Sequence, residues 1–335
     1  MSEASLPQQL DRMITGYWTS QSIFAAAKLG IADLLKDGPQ KIEQLAEASH
    51  TNCDALYRLL RALASIGIFA EEGQRLFSLT PLAEFLRSDI PDSKRALAMM
   101  TGDEQFHAWT EILYTLETGK TSFDKVWGKP IFEYLSEHPD KGHIFDQAMT
   151  GIHGRETSTI LEAYDFSEFK VLADIGGGNG SNLIGLLQHY PEMKGILFDL
   201  PHVIERSQTN LENAGLGNRC ESIGGSFFDS IPLTADAYLM RHIIHDWDDE
   251  KSLTILRNCH AVMSENSKLL IIESVIPPGN EPFAGKFLDL VMMLIPGGKE
   301  RTESEYQTLY NQAGFELTRI VPTKTELSII EGVKR

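Results

Sequence analysis

Val171-Leu-Ala-Asp-Ile-Gly-Gly-Gly-Asn-Gly-Ser181 decides how this chain is read. An apolar run closes on an acid, a loop almost free of side chains follows, and SNLIGLLQHY then takes up a helical period. Strand, glycine loop and helix in that order form the unit from which open α/β sheets are built, and such sheets bind ligands at the carboxyl ends of their strands. Outward from this stretch the same rhythm continues: GILFDL then HVIERSQTNL, CESIGGS, AYLMRHII then DEKSLTILRNCHAVM, and KLLIIESVI. The alternation predicts a mostly parallel sheet with helices on both faces. The tail ELTRIVPTKTELSIIEGV reads as two successive strands, an antiparallel pair at one sheet edge.

The loop narrows the ligand. A G-x-G-x-x-G fingerprint would point to a dinucleotide, but counting from Gly176 and Gly178 the sixth place is Ser181, and Gly176, Gly178 and Gly180 follow G-x-G-x-G. The P-loop pattern is absent here too. Asp174, directly before the loop, would repel a pyrophosphate and attract the ammonium of an amino-acid-bearing nucleotide, which S-adenosylmethionine carries. Asp199, at the end of GILFDL, stands where an acid accepts hydrogen bonds from two ribose hydroxyls.

The N-terminal hundred residues have a different pattern. SIFAAAKLGIADLL reads as one helix ended by Gly38-Pro39, KIEQLAEAS as a second, and Thr51-Asn-Cys-Asp54 as a helix start before ALYRLLRALASIGIF. Short extended pieces near Phe69 and over Leu76–Leu79 complete a winged-helix outline. DNA binding fits it poorly, because residues 1–100 hold 10 Lys/Arg against 12 Asp/Glu. A helical platform for self-association is the better reading. Residues 101–165 read as linking helices rich in large apolar groups, some of them suited to walling a flat substrate, and 166–335 as the ligand-binding domain.

Composition agrees with a soluble intracellular protein. The 335 residues suit two domains, and 30 basic against 47 acidic side chains give a net charge of −17, which repels nucleic acid and anionic lipid. Cys53, Cys220 and Cys259 are too scattered for a disulfide framework or zinc knuckle. No secretory leader pattern and no membrane-length apolar run is visible, so a cytoplasmic location is expected.

The motifs DIGGGNG, FDLP, GGSFFDSIP, RHIIHDWDDE, IIESVIP and PGGKERTESEY occur in this order across the chain. In this the sequence resembles the S-adenosylmethionine-dependent O-methyltransferases of the caffeate, acetylserotonin and bacterial antibiotic and phenazine type. The resemblance covers essentially the whole chain. It implies a Rossmann-like class I methyltransferase domain, an N-terminal winged-helix-like dimerisation domain, a homodimer, and S-adenosylhomocysteine as the spent cofactor. Gly176–Gly180 would pass along the methionine end and Asp199 would hold the ribose. Ser226 and Phe227 would lie beside the adenine, where plant members usually carry Asp-Met, and Arg241 near the cofactor, where they usually carry Lys.

The same resemblance makes His245 the proton acceptor, with Glu273 and Glu300 as flanking carboxylates. Other readings of these acids are solvated side chains or ion pairs with Lys299 or Arg301. A phenol has an ordinary pKa of about 10, so it attacks poorly at neutral pH, whereas a neutral imidazole can remove its proton. A metal site is disfavoured: if RHIIH is a strand, His242 and His245 project from opposite faces. On the same basis Asp246, Trp247, Asp248 and Asp249 read as the start of the next helix. Phe145, Met149, Met292 and Met293 are the candidate substrate wall, although core packing explains each equally well. The expected reaction is methylation of a hydroxyl on an aromatic small molecule. Its rivals are a relative with altered chemistry (N-methylation, or cofactor-assisted hydroxylation or decarboxylation) and a ligand-sensing transcription regulator.

Overall fold

A computed structural model describes residues 5–153 and 156–335. The chain forms two compact units, Met1–His107 with His138–Ile152, and Ala108–Glu137 with His153–Arg335. The helices of 101–165 are therefore divided between them.

In the first unit, helices Gly16–Lys28, Ile31–Leu34, Ile42–Ala48 and Cys53–Ala64 pack with a three-stranded antiparallel sheet. Its strands are β1 (Gln40–Lys41), β2 (Phe69–Glu71) and β3 (Leu76–Leu79), with β3 in the middle. Leu56, Leu60 and Leu63 recur at helical spacing and bury one face of Cys53–Ala64 against Ile31, Leu45 and Phe77. Two sequence expectations are corrected here. SIFAAAKLGIADLL is not one helix, because Gly30 adopts φ +67° and breaks it after Lys28. The cap of Cys53–Ala64 is Asn52, whose side chain accepts from the Ala55 amide at 3.0 Å, rather than Thr51. Leu6, Leu10, Met13, Ile14, Tyr17 and Trp18 leave at least half of their surface uncovered.

The second unit is built on a seven-stranded sheet. Its strands are β4 (Val171–Ile175), β5 (Lys194–Asp199), β6 (Cys220–Gly224), β7 (Ala237–Arg241), β8 (Lys268–Ser274), β9 (Phe315–Pro322) and β10 (Leu327–Lys334). They lie in the order β6-β5-β4-β7-β8-β10-β9, with β4 to β8 parallel and β10 antiparallel to both β8 and β9. Alternate residues serve opposite cores, which is why these strands are apolar throughout. Leu172, Leu239 and Leu270 face helix Ser181–His189. Ala173, Tyr238, Met240 and Ile271 face helices Asp249–Val262 and Glu303–Ala313. From β4 the chain runs outward through β5 and β6, then returns to place β7 on the other side of β4. That reversal opens a crevice at the carboxyl ends of β4 and β7, where open α/β sheets take their ligands.

The strand read through RHII ends early. β7 stops at Arg241, His242 takes φ +55°, and Ile244–Asp246 form a 3₁₀ turn. Helix Asp249–Val262 starts only after Asp248, which caps it by accepting from the Lys251 amide at 2.8 Å. Among the described residues, no helix is long and apolar enough to cross a membrane.

Candidate active site

Five strand ends, those of β4 to β8, supply the site. At β4, Gly176, Gly178 and Gly180 all have positive φ, at 72°, 58° and 78°. Gly178 donates its amide to Asp199 Oδ2 at 2.8 Å, and Leu200 donates to Asp199 Oδ1 at 2.7 Å. The carboxylate at the end of β5 is thereby fixed against the loop. A β-carbon on Gly178 would meet nothing within 4 Å, so the loop presents open backbone there, whereas one on Gly176 would overlap Ile243.

Asp174 is 1% exposed, and its Oδ2 has no hydrogen-bond partner. Burial raises its pKa from 3.8 to about 6, with Arg241 opposing and Asp199 reinforcing the rise. Arg241, at the end of β7, has a side chain only 6% exposed and donates to Thr157 Oγ1 at 3.2 Å, 3.9 Å from Glu156 Oε2. After β6, Ser226 Oγ accepts from the Phe228 amide at 3.2 Å. Phe227 and Phe228 stand edge-on to Trp247, and Asn258 fastens their carbonyls at 2.8 and 3.0 Å.

The turn after β7 carries His245, which is 5% exposed. Its Nδ1 lies 2.6 Å from Glu300 Oε1, and its Nε2 lies 3.7 Å from Asp246 Oδ1. Burial by itself disfavours the imidazolium, but Glu300, Asp246 and Glu273 outweigh it and raise the pKa from 6.5 to about 10. Burial likewise pushes Asp246 up to about 7. Glu273, near the end of β8, does not touch the ring. Its Oε1 accepts from the backbone amides of Ile243 and His245 at 3.0 and 3.1 Å, and Tyr306 donates to its Oε2 at 2.5 Å. Glu300 gives its own amide to Asp289 at 2.9 Å, and its Oε2 is buried without a partner.

Lys299 pairs with Asp249 and Glu305, and Arg301 with Asp249, so neither basic neighbour claims Glu300. Two further expectations are corrected. Asp246 does not begin the next helix but shares the buried turn with His245. The rings of His242 and His245 do not point apart, because the strand has already ended; their centroids are 5.1 Å apart. His242 Nε2 is 3.1 Å from Glu156. Among the described residues, no group of three or more His, Cys, Asp or Glu is arranged to hold a metal.

The remaining candidates fall in both units. Phe145 and Met149 belong to the first unit, on helix Pro139–His153, against Ala96, Met100 and Ala148. Met292 and Met293 belong to the second, on helix Gly285–Leu294. Met293 packs against the cluster of Phe123, Tyr134 and Leu294. Sequence reasoning missed Asn258, Asp289, Gly298, Arg301 and Tyr306. Three of these lie within PGGKERTESEY, beside the assigned Glu300. Gly298 is needed for close approach, since a β-carbon there would overlap the His245 carbonyl oxygen.

An unpartnered buried carboxylate oxygen, an open glycine backbone and an acid at the neighbouring strand end together fit S-adenosylmethionine, which offers an ammonium and a ribose to those groups. Residues 109–316 match the O-methyltransferase domain and residues 12–89 the O-methyltransferase dimerisation domain. The phenazine O-methyltransferase of Lysobacter antibioticus is 47% identical over 96% of this chain and 94% of that protein. The crystal structure of LaPhzM superposes with a TM-score of 0.97 at 46% identity, covering 99% of this chain and 100% of that one. NcsB1, an O-methyltransferase from neocarzinostatin biosynthesis, was crystallised with S-adenosylmethionine and 2-hydroxy-5-methyl naphthoic acid. It matches with a TM-score of 0.85 and 31% identity over 95% of this chain and 96% of that one.

The chain belongs to the O-methyltransferase family, and it is an S-adenosylmethionine-dependent methyltransferase. The match of residues 12–89 assigns the winged-helix outline to dimerisation, not to gene regulation.

Proposed function

We propose that this enzyme methylates a hydroxyl on a fused-ring aromatic acceptor, a hydroxyphenazine in kind, with His245 as the general base. The observation that carries the reading is the buried His245–Glu300 pair on the turn after β7, with Ile243 of the same turn lying against the glycine loop at Gly176.

S-adenosylmethionine, when bound, supplies an electrophilic methyl carbon on a positively charged sulfur. Asp174 holds its ammonium, Gly176, Gly178 and Gly180 clear the path along its methionine end, and Asp199 takes the ribose hydroxyls. Ser226 and Phe227 border the adenine, and Arg241 stands near the cofactor. His245 must enter the reaction neutral, with its remaining proton on Nδ1 toward Glu300, which leaves Nε2 to accept. As the acceptor oxygen attacks, its proton passes to Nε2, and the imidazolium so formed is stabilised by Glu300. The carboxylates that raise the ring to about 10 keep it an imidazolium near neutral pH, so it must release a proton before it can act as the base, and turnover should rise with pH toward that value. Glu273 holds the turn by its backbone, and Tyr306 holds Glu273. Helix Gly285–Leu294, which brings Asp289 to Glu300, also brings Met292 to the acceptor side.

The enzyme works as a homodimer joined through the uncovered apolar residues between Leu6 and Trp18. It acts in the cytoplasm, independent of nucleic acid and membrane. The test is incubation with methyl-labelled cofactor and 1-hydroxyphenazine, followed by mass analysis of the product. One labelled methyl on oxygen is expected, and His245→Ala should lower turnover about 10²- to 10⁴-fold with cofactor affinity unchanged. Label on nitrogen, or undiminished turnover in the variant, refutes the reading.

A further inference from the structure

Among the described residues, Arg301 is the bulkiest side chain with essentially no exposure. Charged groups are almost never fully buried unless paired, and this one is paired in an unusual pattern. Nη1 donates to the carbonyls of Ile244 at 3.1 Å and Lys299 at 3.3 Å. Nη2 donates to the Trp247 carbonyl at 3.0 Å and to Ser252 Oγ at 3.1 Å. Nε and Nη2 share Asp249 Oδ1 at 3.1 and 2.9 Å. The Ile244 and Trp247 carbonyls bracket His245.

Arg301 lies beside the end of β8, in a parallel bridge with Val275, and its carbonyl accepts from the Ile276 amide at 2.9 Å. The adjacent side chains of Glu300 and Arg301 take different partners. Glu300 goes to the imidazole while Arg301 goes to the backbone of the turn that bears it. A planar guanidinium with five donors in a fixed fork can fasten several carbonyls at set angles, and a lysine cannot.

We propose that Arg301 is a positioning residue for methyl transfer, holding the Ile244–Trp247 turn so that His245 Nε2 faces the acceptor oxygen. The inference rests on the assignment of His245 as the base. It is tested in the full-length enzyme with Arg301→Lys on two acceptors, 1-hydroxyphenazine and a nitro-substituted analogue whose hydroxyl is already ionised at the assay pH. A base displaced by about 1 Å can cost about 10²-fold in kcat, so a loss of that order is expected on the first acceptor. Only a few-fold loss is expected on the second, which needs no base, with the Kd for S-adenosylmethionine unchanged. Equal losses on both acceptors, or no loss on either, overturn the proposal.

Asp249→Asn, which weakens the grip on the guanidinium from outside, carries the same comparison with a smaller effect if the lysine variant does not fold. Should the wild type methylate neither acceptor, the functional reading fails on its own account. NMR of the labelled His245 ring then decides the positioning role: a ring titration moved toward the free value in Arg301→Lys supports it, and an unchanged one overturns it.

Discussion

Replacing Asp174 by asparagine should stabilise the ligand-free protein while weakening its hold on the cofactor. Asp174 is 1% exposed, one of its oxygens has no partner, and its pKa rises from 3.8 to about 6 on folding. Between those values the native state binds more protons than the unfolded chain, so stability falls as pH rises through the window. A difference of about two pH units, at about 1.4 kcal/mol each, makes the full cost about 3 kcal/mol once the pH is well above 6. Asparagine cannot ionise and escapes it, although its amide brings new donors whose burial costs about 1–3 kcal/mol. That second cost does not vary with pH. The variant's stability relative to wild type should therefore improve by about 2 kcal/mol from about pH 4 to about pH 8, measured by urea unfolding. Calorimetry at the higher pH should show S-adenosylmethionine binding weakened by about 10- to 150-fold, the worth of a hydrogen bond to a charged group. A stability difference that is flat with pH, or cofactor binding that matches wild type, would refute the argument.

Two further outcomes follow from the base and its turn. The His245 ring, raised from 6.5 to about 10, contributes stability fully below the lower value and loses it as pH rises through the upper one. Glu300→Gln should bring the ring titration down, as read by NMR of labelled histidine, and a wild-type ring titrating at or below 6.5 contradicts this. Gly298→Ala places a methyl group against the His245 carbonyl. It should cost about 1–3 kcal/mol and lower turnover together, and a variant with wild-type melting and kcat would show that the loop yields freely.

The parts legible in the sequence are those set by local pattern. The strand, glycine loop and helix from Val171 onward, the parallel rhythm and the antiparallel tail all depend on residues close in the chain. The break at Arg241 was not legible, because RHII continues an apolar run and nothing local forces His242 into a left-handed conformation. Asp246 was misread for the same reason, since its burial depends on where that strand stops. Glu273 stood out as an acid at a strand end, yet its recipients are two backbone amides and a tyrosine hydroxyl, which a side-chain motif does not specify. Arg301 entered the sequence reading only as a possible ion-pair partner for the acids, and only the fold brings it to carbonyls more than fifty residues earlier in the chain.

Gly298–Arg301 meets three demands in four consecutive residues: a place without a side chain, a partner for the imidazole, and an anchor for the backbone beneath it. Lengthening or shortening that tetrapeptide by one residue would shift its last two members away from their partners and undo both tasks together. Efforts to retune which acceptor the enzyme takes should therefore leave this span and Asp289 untouched, and vary instead Met292, the side chain proposed to face the acceptor.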